Sequence, residues 1–211
     1  MNLLLILYYM NCFTSLACKL IFVIIMSTLI SSNSENTDYK TAYFGAGCFW
    51  CVEAIFQELN GVIDVVSGYS GGTQETANYH SVCAGDSDHA EICKITYNPN
   101  IISFEILLEV FFLSHDPTTV NKQGNDIGSQ YRSIIFWNID NERKLADQYI
   151  DFLEDSGVYD NIVTELVPLR KFYKAESNHQ NYFILNANQP YCTFIINPKL
   201  KKLRNKLKKY Y

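Results

Sequence analysis

Two hydrophobic periods alternate along the chain. Thr41–Ala46 is a short β-prone run ended by glycine, and Phe49–Leu59 then places Val52, Ile55, Phe56 and Leu59 on one helical face before Asn60-Gly61 stops it. Val62–Val66 reads as a strand closed by the turn-rich Ser67-Gly68-Tyr69-Ser70-Gly71-Gly72. Ala90–Tyr97 alternates, with Ile92, Ile95 and Tyr97 among polar residues, and reads as a strand. Ser103 is a good N-cap for a helix over Phe104–Leu113. Beyond a long polar loop, Pro117 to Gly128, the pattern predicts a strand at Tyr131–Trp137, a helix at Glu142–Glu154, a strand at Ile162–Leu169 and a helix at Glu176–Leu185. The run Ile195–Leu200 reads as an ordered strand end. Strands mixed with helices and no internal repeat predict one two-layer α/β or α+β domain.

The ends of the chain differ from this body. Residues 1–31 are almost wholly apolar, with Lys19 the only charge. They read either as a signal or membrane anchor, lacking the basic start and Ala-x-Ala site of a clean leader, or as an extension upstream of a true start at Met26. The first reading implies export or a membrane tether, the second a cytoplasmic protein. Residues 32–40 read as a linker and 41–203 as the domain. Residues 204–211 are a basic tail whose simplest reading is a solvated helix face.

Charge narrows the function classes. Of the 17 Lys and Arg, seven lie in 199–211, which leaves 10 against 22 Asp and Glu elsewhere. Such an acidic body does not suit a nucleic-acid binder. The seven cysteines are odd in number and irregularly spaced, unlike a structural disulfide framework.

Cys48 and Cys51 stand apart as Cys-x-x-Cys within Gly47-Cys48-Phe49-Trp50-Cys51. Cys48 falls where a strand hands over to a helix, so unpaired amides and the positive end of the dipole are expected to lower its pKa. Phe49 and Trp50 put an aromatic wall beside the sulfur, suited to holding a methyl group. Four readings fit the pair. Half of a zinc site would need a second close pair from Cys83, His80, His89 and Cys93. A thioredoxin-like dithiol exchanger would need its motif on the first helix of a βαβ unit. A redox sensor tethered through residues 1–31 is the third reading, and an oxygen-transfer enzyme is the fourth.

Further blocks favour the enzyme. Gly45-Ala46-Gly47-Cys48-Phe49-Trp50 resembles the signature of peptide methionine sulfoxide reductase A. Gly68-Tyr69-Ser70-Gly71-Gly72, Asn78 to Cys83, Gly85-Asp86, His89-Ala90-Glu91, Gln123 to Ser133 and Phe172 to Gln180 resemble other blocks of that family, in the family's order, from about Tyr43 to Leu203. The resemblance implies an α+β, two-layer sandwich of ferredoxin-like type, with a mixed sheet and a long coil-rich C-terminal part. It implies reduction of methionine S-sulfoxide, free and in oxidised proteins, with Cys48 as nucleophile and Glu91 as proton donor. Tyr79 and Tyr131 would donate hydrogen bonds to the sulfoxide oxygen, and Phe49, Trp50 and Asp126 would bind substrate. Without the resemblance, Glu91 is an ordinary strand-edge residue, Asp126 a turn former, and the tyrosines packing residues. His89 and His179 are given structural roles. The family's cycle implies a Cys48 sulfenic acid, a disulfide, and recycling by thioredoxin or another dithiol, with no bound cofactor. For the second sulfur, Cys51 lies one helical turn from Cys48, and Cys192 falls where a C-terminal resolving cysteine can occur; Cys51 is the preferred resolver because its loop is short. A monomer is expected.

Overall fold

The computed structural model describes residues 38–211, and Asp38–Tyr211 forms one compact unit. The apolar segment 1–31 and most of the linker lie outside the described residues. Among the described residues no helix is long and apolar enough to cross a membrane.

A six-stranded sheet organises the unit. Its strands are β1 (Lys40–Ala46), β2 (Val62–Ser70), β3 (Ala90–Tyr97), β6 (Ser133–Trp137), β7 (Glu165–Pro168) and β8 (Tyr173–Lys174), in the order β7-β6-β1-β3-β2-β8. The short strands β4 (Lys122–Gln123) and β5 (Asp126–Ile127) form a separate hairpin. Helix α1 (Phe49–Phe56) connects β1 to β2, α2 (Tyr79–Ala84) lies between β2 and β3, and α3 (Phe104–Ser114) follows β3. The core strands β6-β1-β3-β2 are antiparallel throughout, whereas β7 joins β6 in parallel, so the sheet is mixed. With α1 and α3 between strands, this is the expected ferredoxin-like βαββαβ plan.

Alternation assigns the two faces. Phe44, Cys93, Ile95 and Ile135 face the main core, while Tyr43, Ile92, Ile134 and Phe136 form a smaller cluster on the other side. Phe44 sits among Phe56, Phe104 and Phe111 at ring separations of 5.0 to 5.9 Å, which locks β1 against α1 and α3. Helix α4 (Asp140–Asp155) covers nearly the stretch that its period predicts.

Elsewhere the outcome departs from expectation. Strand β2 continues through the glycine-rich turn signals to Ser70 because both its edges are paired, with β3 and with β8. Helix α2 has no hydrophobic period; Asn78 accepts from the Ser81 amide and left-handed Gly85 ends it. Tyr131 closes a 3-10 turn and the strand begins only at Ser133. Glu176–Leu185 is not one helix. It is a 3-10 turn at Ser177–His179 and a single turn, α5 (Tyr182–Leu185), separated by Asn181 at φ 53°. The expected strand end at Ile195–Leu200 is helical instead: a π-turn at Cys192–Ile196 runs into α6 (Asn197–Lys206), where Pro198 occupies the first turn, a position it favours. Residues 204–211 fold back on the domain. Arg204 pairs with Glu58, Leu207 is buried, and Tyr210 accepts from the Asn60 amide at 2.8 Å. The lysines 201, 202, 206, 208 and 209 stay exposed, as a solvated helix face requires.

Candidate active site

Cys48 is the N-cap residue of α1, at φ −55° and ψ 125°, and makes no side-chain cap bond. Gly47 before it has φ 91°, and a Cβ there would meet the Gln123 side chain at 2.7 Å. Glycine therefore lets the β4–β5 hairpin, which carries Asp126, close over the start of α1. Cys51 follows one turn later, its amide bonded to the Cys48 carbonyl at 3.0 Å. Both thiols are buried, 8% and 3% exposed, and neither is in a disulfide.

Glu91 enters from β3. It is 1% exposed, and its Oε2 accepts from the Phe49 amide at 3.0 Å. This is an internal strand of the sheet and not the solvated edge that the bare sequence allows. Burial pushes the Glu91 carboxyl up to about 8, against the pull of the Phe49 amide. It is therefore mainly a neutral acid at pH 7.

The thiol does not behave as expected from its place at a helix start. Burial, first of all, pushes Cys48 well above the ordinary thiol range, with Cys51 and Glu91 adding to the rise. The hydrogen bond from Cys48 lowers Cys51. Desolvation thus outweighs the helix dipole at Cys48, and the site at rest pairs a thiol with a carboxylic acid.

Two phenols share this environment. Tyr79 opens α2 and Tyr131 ends the 3-10 turn before β6. Both are held above the ordinary phenol range, by burial first, and the charges of Glu91 and Cys48 act on each. They remain O–H donors. Tyr79 is anchored by Glu176, whose Oε1 accepts from its amide at 2.8 Å while Oε2 accepts from Tyr69 at 2.9 Å.

The aromatic pair divides. Phe49 is 1% exposed, packed against Tyr69 and His179. Trp50 is half-buried; its indole N–H donates to His179 Nδ1 at 3.2 Å, and Tyr182 stacks on the ring at 3.6 Å. His179 also lies 4.4 Å from the Tyr79 ring, so it links wall and phenol. His89 is further out, accepting from the Gly72 amide at 3.2 Å and contacting the Thr73 carbonyl at 2.8 Å. Cys83 is exposed on α2 and Cys93 is buried in β3. Among the described residues no three His, Cys, Asp or Glu gather as a metal site would.

Two residues of this region are absent from the sequence expectations. Glu53 of α1 is fully buried and accepts from Ser67 Oγ at 3.2 Å and from the amides of Asn181 and Tyr182 at 2.9 and 3.0 Å. It thereby seats Tyr182 on Trp50; a charged residue on an otherwise apolar helix face was its only signal. Replacing it as Glu53→Gln removes one acceptor and leaves buried donors short. A loss of about 1–3 kcal/mol is expected, with faster hydrogen exchange at the Asn181 and Tyr182 amides. The second is Tyr191, whose hydroxyl donates to Asp126 Oδ2 at 2.9 Å and lies 3.7 Å from Cys51 Sγ. Cys192, next to it, is fully buried in the π-turn.

The chain is similar to known proteins over nearly all of the described residues. The family model described as peptide methionine sulfoxide reductase matches residues 40–211. A peptide methionine sulfoxide reductase MsrA of Natronomonas pharaonis is 51% identical over 165 residues, covering 78% of this chain and 93% of the relative. One of Psychrobacter arcticus is 46% identical over 171 residues, covering 81% and 98%. Among solved structures, reduced Mxr1 from Saccharomyces cerevisiae is similar with a TM-score of 0.68 at 34% identity, covering 75% of this chain and 92% of that one. Methionine sulfoxide reductase A of Corynebacterium diphtheriae gives 0.66 at 32% identity, covering 76% and 80%. The chain belongs to the peptide methionine sulfoxide reductase family, among the proteins named MsrA.

Proposed function

We propose that the protein is a peptide-methionine (S)-S-oxide reductase in which Cys48 attacks the sulfoxide sulfur and Glu91 handles the proton. The observation that carries this reading is the neutral, buried Glu91 bonded to the amide next to Cys48. Glu91 protonates the sulfoxide oxygen as the Cys48 sulfur attacks, and its carboxylate takes up the thiol proton. The oxygen passes to Cys48, methionine leaves, and a sulfenic acid remains with Glu91 again protonated. Tyr79 and Tyr131 donate to the sulfoxide oxygen. Trp50 and, behind it, Phe49 hold the methyl group, and Asp126 binds the substrate on the hairpin side.

Cys51 then condenses with the sulfenic acid, releasing water, and Cys192 is a backup or bystander. Thioredoxin, or another external dithiol, reduces the disulfide by exchange. Substrates are oxidised proteins and free methionine sulfoxide, so the role is repair after oxidation. The test is turnover of a peptide carrying both sulfoxide epimers, with dithiothreitol as reductant. Consumption of the S epimer alone supports the reading. Disulfide formation without methionine would instead indicate a sensor, and reduction of insulin disulfides in place of sulfoxide a dithiol exchanger.

A further inference from the structure

Tyr191 has one phenolic proton, and that proton is directed to Asp126 Oδ2 at 2.9 Å. Toward Cys51, 3.7 Å away, the phenol oxygen is consequently an acceptor for the S–H. A continuous line results: Cys51 thiol, Tyr191 hydroxyl, Asp126 carboxylate. The elements hold it firmly. Cys51 is in the buried first turn of α1, Asp126 is in the hairpin seated over Gly47, and Tyr191 adjoins a π-turn whose Cys192 and Ile196 are buried. The Tyr191 ring also meets Trp50 edge-on at 5.7 Å.

We infer that Tyr191 and Asp126 form a proton relay serving the resolving step, drawing the proton from Cys51 as it attacks the Cys48 sulfenic acid. This rests on the reading that Cys51 is the resolver. In the step, the Cys51 sulfur forms a bond to the Cys48 sulfur and the Cys48 S–O bond breaks. The Cys51 proton moves to the Tyr191 oxygen while the phenolic proton moves to Asp126. Glu91 protonates the departing hydroxyl, which leaves as water. Glu91 and Asp126 then exchange protons with solvent, and no external oxidant or reductant is consumed. Glu91 thus serves both half-reactions at Cys48, and Tyr191 with Asp126 serves Cys51 in disulfide closure.

Several charged or titratable groups act on Cys51: Cys48 on the same helix, Lys199 on α6, and Tyr191 and Asp126 themselves. Glu91, Cys93 and Cys192 feel it in turn. Of these only Tyr191 is bonded both to Cys51 and to a carboxylate.

The experiment is a single turnover of Tyr191→Phe with a methionine sulfoxide peptide and no reductant. Methionine release and disulfide closure are timed separately, and the closed pair is mapped by mass spectrometry. Closure is expected to slow by about 100-fold, the scale of lost general-base help, while the sulfenic acid accumulates. Its rate should then rise about tenfold per pH unit below the thiol pKa, as free thiolate alone drives it, and should respond to added imidazole; the native step should do neither. Closure at the native rate, or slowed with an unchanged pH profile and no imidazole response, overturns the relay. A Cys48–Cys192 disulfide with Cys51 free overturns the underlying reading instead. Should Tyr191→Phe not fold, the native enzyme in heavy water decides: closure should slow, and an unaffected rate overturns the relay.

Discussion

Substituting Cys48→Ser should reduce methionine formation by at least roughly 10⁴-fold, the scale of removing a nucleophile, and leave the fold intact. Cys48 occupies the N-cap of α1 yet makes no cap bond there. Serine is a favoured N-cap residue, so the variant should melt at the native temperature or slightly above it. Loss of activity in a protein that melts normally separates chemistry from folding. Cys51 remains in this variant and, through its bond with Cys48, is the thiol brought down in the native protein. Appreciable residual turnover would therefore make Cys51 the attacking sulfur and overturn the assignment. Sulfoxide reduction is read by chromatography of the peptide product, and stability by thermal melting.

Glu91→Gln should lower the rate of methionine formation by about 10²–10⁴-fold, the range for a lost general acid. Glutamine fills the same volume and can still accept from the Phe49 amide, so the geometry survives while the transferable proton does not. In the native enzyme, the acid form is populated below about pH 8. The Glu91-dependent rate should accordingly hold at neutral pH and fall as pH rises through about 8. Stability should move the opposite way in the variant. A carboxyl raised above its unfolded value of 4.5 contributes stability that is full below pH 4.5 and is lost as pH rises toward 8. The neutral amide escapes that loss, so above pH 8 the variant should be the more stable, by up to about 5 kcal/mol. A protein that becomes more stable and inactive by one substitution would show that Glu91 is retained for proton transfer and not for packing.

Much of the site can be read from the chain itself because its parts sit on strongly patterned elements. Glu91 and Cys93 point to the α1 side by simple alternation along β3, and the handover from β1 to α1 fixes Cys48 as a cap residue. Where the reading fails, tertiary contacts override local signals. The helical pattern of 176–185 breaks because Glu176 and Glu53 fasten Tyr79, Asn181 and Tyr182 on either side of a left-handed Asn181. Ile195 and Ile196 favour a strand locally, yet no sheet edge receives them, and Ile196 is buried with Leu200 and Leu203 of α6. Burial also reverses the expected direction at Cys48, since a dipole argument cannot count the apolar groups around a sulfur. Tyr191 was invisible for a different reason: 65 residues separate it from Asp126, and only folding brings the two together.

The central claim is that the Cys48 sulfur attacks the sulfoxide and takes its oxygen as a sulfenic acid. Its most direct test is Cys51→Ser with Cys192→Ser, mixed once with a methionine S-sulfoxide peptide and trapped with a sulfenic-acid-specific diketone. The account predicts one methionine released per enzyme and the label on Cys48. Label on any other cysteine, or methionine sulfoxide left unreduced by this well-folded variant, would contradict it.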